Sequence, residues 1–394
     1  MNIRIKKYSS IHLTLDGYGR LGEALSRYEG TRVFVFGGIS GEEVIAEVVH
    51  SRRGYIAARV VEVLTASPDR KGIECPYFGL CTGCQWQHIA YGQQLEMKRG
   101  LVLRALEEDG EMPAIAVAPI VAAENVFYYR NHARFTVGEG GSLGFVNRES
   151  RQFVRIEHCI LMDRWINGAL GLLQGQCSET TQVSVRYGIN TGQWLIQPHM
   201  NNVRNLEVGQ KYFEEELYKR RFRISSSSFF QVNTLQAEKL VGIVKERLNL
   251  KGDEVLVDTY AGVGTYSVIL APYAGRVFAI EEAASAVADA GVNFYGLDNI
   301  TAVKAKTGDF LQAFPQTIDA LIINPSRSGC QPEVIDVLKA RPPECVVYVS
   351  CNPRTLARDL KHLCEGPFTI DEVIPVDLFP NTVQVETIVT LRKR

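Results

Sequence analysis

A chain of 394 residues is long enough for two or three domains, and its 46% hydrophobic content supplies a sizeable core, which excludes global disorder. The net charge of −1 excludes a strongly basic binder, although residues 1–250 carry about four more basic than acidic side chains and residues 251–394 about five more acidic than basic. No apolar run is long enough to span a bilayer, and Met1–Lys7 lacks the apolar stretch of a signal peptide, so the expectation is a soluble, cytoplasmic chain with no membrane partner.

In chain order, residues 1–65 read as a small β-barrel. Short apolar segments, Ser10–Leu15, Val33–Phe36, Glu43–His50 and Tyr55–Leu64, are separated by glycine-bearing turns such as Asp16-Gly17-Tyr18-Gly19 and Gly37-Gly38. Arg52-Arg53-Gly54-Tyr55 sets cations beside an aromatic at a strand start, as phosphate contact and base stacking require; an ordinary exposed hairpin accounts for the tetrapeptide equally well. Residues 66–90 are loop-like and rich in cysteine. A helix is expected over Gln93–Glu108, mixed short strands over 113–225, and an amphipathic helix over Gln231–Leu248.

From residue 254 the texture becomes strand, helix, strand. Strands are expected at Glu254–Asp258, Arg276–Ile280, Thr301–Lys306, Ile318–Ile323 and Cys345–Ser350, with helices around Ser285–Tyr295 and Pro332–Ala340. That alternation predicts an open parallel sheet covered by helices on both faces. The first strand runs into Asp258-Thr259-Tyr260-Ala261-Gly262-Val263-Gly264-Thr265, a glycine pair that lets a ligand approach the backbone. The second ends in Glu281, where a carboxylate can grip ribose hydroxyls, and the third is followed by Gly308-Asp309, placed to accept from an adenine amino group. The three-glycine dinucleotide fingerprint is absent. The pattern resembles class I S-adenosylmethionine-dependent methyltransferases.

Three further segments fall at or near strand ends: Asn324-Pro325-Ser326-Arg327-Ser328-Gly329, Ser350-Cys351-Asn352-Pro353-Arg354-Thr355-Leu356-Ala357-Arg358-Asp359, and Phe379-Pro380-Asn381-Thr382-Val383-Gln384-Val385-Glu386. The second resembles the nucleophile motif of the RNA (uracil-5-)-methyltransferase family and the third its general-base motif. Phe230-Gln231-Val232-Asn233 resembles the motif that opens that family's catalytic domain. The chemistry explains the set. Carbon 5 of uracil attacks a methyl sulfonium only after a thiolate has added to carbon 6, and a base must then remove the carbon-5 proton.

The resemblance implies Cys351 as nucleophile and Glu386 as base, with Arg327 holding a phosphate or a uracil oxygen and Arg354 favouring the thiolate. It also implies S-adenosylmethionine contacts from Gln231, Tyr260, Thr265, Glu281 and Asn324, with Asp309 at the adenine. Without these motifs Cys351 would read as a buried core thiol. Two departures stand out. Asn324 occupies a position where the family usually has Asp, and an amide can donate to oxygen 4 and accept from nitrogen 3 of a uracil but carries no charge. Gln384 stands where His is common.

Nine cysteines in a reducing compartment point to ligand or nucleophile roles rather than a disulfide framework. Cys75-x5-Cys81-x2-Cys84, with distant Cys159, offers four thiolates that could hold zinc or a [4Fe–4S] cluster. The surrounding segments resemble the iron–sulfur signature of the ribosomal-RNA branch of the same family, which favours the cluster; His158 reads as structural or supporting. Tyr129–Arg134 and Gly144–Arg148 resemble its central segments, and residues 1–65 its TRAM domain.

The expected architecture is therefore an α/β protein: an OB-like TRAM barrel (1–65), a central α+β iron–sulfur and RNA-binding domain (66–230) and a Rossmann-like class I methyltransferase domain (231–394). The expected function is uridine C5 methylation of structured RNA by a monomeric enzyme, with 23S rRNA ahead of tRNA as substrate. The competing readings are a catalytically impaired RNA-binding homologue, because of Asn324, and a small-molecule methyltransferase.

Overall fold

The computed structural model describes residues 6–148 and 150–394. They divide into two compact units: Met1–Met97 with Val146–Val154 and Phe379–Val383, and Lys98–Phe145 with Arg155–Leu378 and Gln384–Arg394. Among the described residues no helix is long and apolar enough to cross a membrane.

The first unit contains strands β1 (Ser10–Thr14), β2 (Ala24–Tyr28), β3 (Thr31–Phe36), β4 (Glu43–Arg52) and β5 (Tyr55–Thr65), in the order β1-β4-β5-β3-β2. β2 was not anticipated from the sequence. β3 and β5 run parallel and the other neighbours antiparallel. The outer strands are also joined, since the Asp16 amide donates to the Leu25 carbonyl and the Leu25 amide to that of Gly17, both at 2.9 Å. Strict alternation of buried and exposed positions turns Ile11, Leu13, Val33, Val35, Val44, Ala46, Val48 and Ile56 to one side as a core.

The following segment is tied to this sheet by polar contacts. Buried Glu42 accepts from Arg70 at 2.5 and 2.6 Å, and the Trp86 indole donates to the Gly22 carbonyl at 2.8 Å. Phe379–Val383 is held by Gln94, whose amide donates to Asn381 Oδ1 (3.2 Å) and whose carbonyl accepts the Asn381 amide (2.8 Å).

In the second unit, His132–Val137 pairs antiparallel with Gln182–Tyr187, which pairs with Trp194–Gln197, and Tyr212–Leu217 forms a hairpin with Arg220–Ser225. Then follow α1 (Thr234–Leu248), β6 (Val255–Thr259), α2 (Thr265–Leu270), β7 (Arg276–Glu281), α3 (Ala284–Asn293), β8 (Ile300–Lys304), α4 (Thr307–Ala313), β9 (Ala320–Ile323), α5 (Pro332–Ala340), β10 (Cys345–Ser350), α6 (Pro353–Cys364), β11 (Phe368–Val376) and β12 (Glu386–Lys393). The sheet runs β8-β7-β6-β9-β10-β12-β11, with β8 to β10 parallel and β12 antiparallel to both its neighbours, β10 and β11.

Central strands β9 and β10 are buried at every residue, which is why Ala-Leu-Ile-Ile and Cys-Val-Val-Tyr-Val-Ser read as continuous apolar runs rather than alternating ones. Expected elements are found within a few residues, among them a helix at Tyr91–Glu108. One boundary differs usefully. The helix expected from Gln231 starts at Thr234, because the Asn233 side chain caps it by accepting the Gln236 amide at 3.3 Å. Gln231 is thereby left in the preceding loop.

Candidate active site

In an open α/β sheet, ligands bind beyond the carboxyl ends of the strands where the strand order reverses. Here the reversal lies between β6 and β9. A pocket of about 480 Å³, open to solvent, sits there and is lined among others by Phe229, Gln231, Tyr260, Gly262, Thr265, Tyr266 and Asn324. Four residues anticipated as cofactor contacts, Gln231, Tyr260, Thr265 and Asn324, thus share one cavity.

Local chemistry fixes each of them. Asn131 donates from Nδ2 to the Gln231 carbonyl and to Thr234 Oγ1, both at 3.0 Å, and its amide donates to the Val232 carbonyl at 2.9 Å, so the segment Tyr129–Arg134 holds the Gln231 loop. Tyr260 has φ +58°, uncommon for a non-glycine residue, and this turns the chain from β6 into the glycine loop. Gly264 has φ +85°, and a Cβ there would lie 2.3 Å from the Phe294 ring. Gly264→Ala should therefore cost roughly 1–3 kcal/mol in denaturant unfolding and weaken S-adenosylmethionine binding measured by titration calorimetry.

Glu281 ends β7 and Asp309 follows β8 on α4, and neither lines this cavity. Glu281 Oε2 accepts the Gly262 amide at 2.9 Å, and Oε1 accepts the amides of Glu282 and Ala283, so its carboxylate ties β7 to the glycine loop. Asp309 is exposed on the first turn of α4.

Cys351 and Glu386, the anticipated nucleophile and base, are brought together by strand register. β12 lies antiparallel to β10 with Ser350 opposite Thr387, so Cys351, one residue past β10, comes beside Glu386 at the start of β12. Glu386 is 5% exposed, and burial pushes its carboxyl up to about 8, opposed by the Arg327 guanidinium. Burial also raises the Cys351 thiol, the Glu386 carboxyl adds to the rise, and Arg327 works against both. Arg354 does not take the part expected of it. Its guanidinium bonds Asp109 at 3.2–3.3 Å, and Arg327 is the cation that acts on the thiol.

Two residues were missed in the sequence. The Tyr266 hydroxyl is buried without a hydrogen-bond partner; burial above all, then Glu386 and fully buried Asp258, raise it well above its usual value, and burial pushes the Asp258 carboxyl itself up to about 7. The signal for Tyr266 was its place immediately after Thr265 in the glycine loop.

Of the anticipated metal ligands, Cys75, Cys81 and Cys84 lie in the first unit and Cys159 in the second. Among the described residues no group of three or more His, Cys, Asp or Glu side chains is disposed to hold a metal ion, and no disulfide joins any of the nine cysteines. Cys75 and Cys81 lie close enough for Cys75 to contribute to a raised Cys81 thiol, though burial is the larger cause. Cys159 is held by Asn167, which accepts its amide at 2.8 Å and donates to its carbonyl at 3.0 Å. His158 Nε2 lies 3.3 Å from the Tyr128 hydroxyl.

Residues 153–394 match the tRNA (uracil-5-)-methyltransferase family. Curated relatives include an RNA methyltransferase of Thermosynechococcus vestitus, 33% identical over 97% of this chain and 98% of its own, and one of Halalkalibacterium halodurans, 30% identical over 98% of each. Among solved structures, the Pyrococcus abyssi tRNA (uracil-54, C5)-methyltransferase in complex with S-adenosyl-L-homocysteine superposes with a TM-score of 0.77 at 24% identity, covering 96% of this chain and 99% of that one.

Proposed function

The chain belongs to the tRNA (uracil-5-)-methyltransferase family and is an S-adenosylmethionine-dependent RNA (uracil-5-)-methyltransferase; we propose that it methylates a uridine of 23S rRNA through a covalent bond between Cys351 and carbon 6 of the base. The observation that carries the mechanism is the β10–β12 register, which sets thiol beside carboxyl, with the cofactor pocket at the adjacent reversal of strand order.

S-adenosylmethionine would be held in that pocket by Gln231, Tyr260, Thr265 and Asn324; the family resemblance adds Glu281 for its ribose and Asp309 for its adenine. The Cys351 thiolate adds to carbon 6, and charge moves to oxygen 4, where the Asn324 amide or Arg327 can donate. Carbon 5 then takes the methyl group from the sulfonium, leaving S-adenosylhomocysteine. Glu386 removes the carbon-5 proton, and the electron pair expels the thiolate. Thiol and carboxyl each disfavour ionisation of the other. Once the sulfur is bonded to carbon it carries no charge, and Glu386 ionises more readily beside Arg327 at the stage that needs a base.

The target base must leave its stack to reach this site, and the five-stranded sheet of residues 10–65 is proposed as the TRAM-like module that grips the surrounding RNA. Arg52 and Arg53 are exposed there, and the Tyr55 ring packs edge-on against Phe34. The parts proposed are 1–65 for this grip, 66–230 for further RNA contact and 231–394 for chemistry. A [4Fe–4S] cluster on Cys75, Cys81, Cys84 and Cys159 is proposed on sequence spacing and resemblance alone, and no step of the reaction passes through it. Iron and sulfide assays on anaerobically purified protein test it: about four of each per chain support the cluster, whereas zinc or no metal overturns it.

The substrate is tested by nucleoside mass spectrometry after incubation with S-adenosylmethionine and unmodified 23S rRNA or tRNA. 5-Methyluridine in 23S rRNA supports the proposal, and product in tRNA alone reassigns the substrate. Product in neither, with cofactor bound, favours the impaired homologue, for which Asn324 in the pocket is the specific observation.

A further inference from the structure

The loop Asn324–Cys330 carries Arg327 to the reactive pair, yet Arg327 itself is exposed. Its backbone is held from α6. The Arg327 carbonyl accepts from Asn352 Nδ2 at 2.9 Å and from Thr355 Oγ1 at 3.2 Å, so it lies against the residue that follows the nucleophile. One turn further along α6, Arg358 Nη2 donates to the Ser328 carbonyl at 2.9 Å, and Asp359 Oδ2 accepts the Cys330 amide at 2.7 Å.

Asp359 is 1% exposed and joins three elements. The Tyr348 hydroxyl of β10 donates to it at 2.7 Å, and Arg358 Nε and Nη2 donate to its Oδ1 at 2.9 and 2.7 Å. The Cys330 thiol lies 3.6 Å from the Tyr348 hydroxyl, and the Tyr260 hydroxyl, whose ring lines the cofactor pocket, reaches Cys330 and Thr307. The loop backbone meets this cluster closely enough to demand glycine. At Gly329, φ +77°, a Cβ would stand 2.5 Å from Asp359 Oδ2 and 2.6 Å from Arg358 Nη2. A buried carboxylate with several donors is expensive to disturb, because removing it strands them together.

We propose that Arg358 and Asp359 are positioning residues: they fix the Asn324–Cys330 loop on α6 so that Arg327 stands over the nucleophile. The claim rests on the reading of Cys351 as nucleophile, and it specifies what keeps that thiol reactive. The charged groups facing Cys351 are Glu386 from β12 and Arg327 from the loop; Arg354, on its own helix, is turned to Asp109, and Tyr266 of α2 faces Glu386. Arg327 is the one among them that favours the thiolate.

The test reads the thiol directly and does not depend on methyl transfer. The rate of Cys351 alkylation by iodoacetamide is followed from pH 6 to 10 in the full chain, resolved from the other cysteines by peptide mass spectrometry. Asp359→Asn and Arg327→Gln are each expected to move the profile to higher pH and slow alkylation at pH 8 by about tenfold, with S-adenosylmethionine affinity kept. The double variant should be no slower than Arg327→Gln alone, because one residue acts through the other. A wild-type profile for Asp359→Asn, or additive losses in the double variant, overturns the proposal. Should Asp359→Asn fail to fold, Arg358→Gln gives the same readout, since that side chain is 48% exposed and its loss leaves the Tyr348–Asp359 bond. If methyl transfer is absent from wild type while these shifts appear, the functional reading fails and the positioning role stands.

Discussion

Cys351→Ala is expected to abolish 5-methyluridine formation, with a loss of at least ~10⁴-fold, while S-adenosylmethionine binds as before. The loss is large because no second group at the site can add to carbon 6. Asn352 is the cap of α6, its side-chain Oδ1 accepting from the Arg354 amide, and Ser350 Oγ is engaged with the Asn352 backbone. Cofactor affinity is kept because Cys351 does not line the pocket in which Gln231, Tyr260 and Asn324 meet. Mass spectrometry of nucleosides with calorimetric titration of the cofactor measures both halves. Product formation by the Ala variant at more than a few per cent of wild type would refute the covalent route.

Glu386→Gln is expected to fail one step later. The thiolate still adds and the methyl group still moves, but the carbon-5 proton has no acceptor, so a methylated RNA–protein adduct accumulates and turnover stops after one cycle. A band resistant to denaturing electrophoresis, carrying label from the methyl donor, is the readout. The wild-type release step should rise with pH and level off at or below about 8, because the base acts only when ionised, its carboxyl is held up to about 8 before the adduct forms, and the neutral thioether lets it ionise more readily.

Stability follows the opposite sense. A carboxyl whose folded value lies above the unfolded ~4.3 binds its proton more tightly in the folded chain, so its contribution is fully present below the unfolded value and is lost as pH rises through about 8. Asp258, held up to about 7, acts the same way. Scanning calorimetry should therefore show the Tm of wild type falling between pH 5 and 9, and that of Glu386→Gln falling less.

Much of this was legible in the sequence where a short segment determines its own geometry. The glycine loop after β6, Glu281 at the end of β7 and the all-apolar run of β10 each declare a backbone conformation or a burial state locally. What escaped was set by pairing at a distance. Nothing in Glu386-Thr387-Ile388-Val389 says that this strand runs antiparallel to β10, yet that register brings Glu386 to Cys351. Arg354 and Arg327 were not distinguishable as partners of the thiol, because the choice is made by Asp109, more than two hundred residues away in the chain. The cysteine spacing suggested a ligand set, but spacing does not determine how loops bring thiols together.

The register between β10 and β12 has a consequence for how affinity can be used. The separation of thiol and carboxyl is written into main-chain hydrogen bonds between adjacent strands, not into side chains that must swing into place. In the proposed reaction the Cys351–Glu386 pair is consequently assembled before any substrate arrives, and no share of the RNA contact energy goes into ordering it. That energy remains for drawing a base out of its stack, the part of the reaction that the sheet cannot prepare in advance.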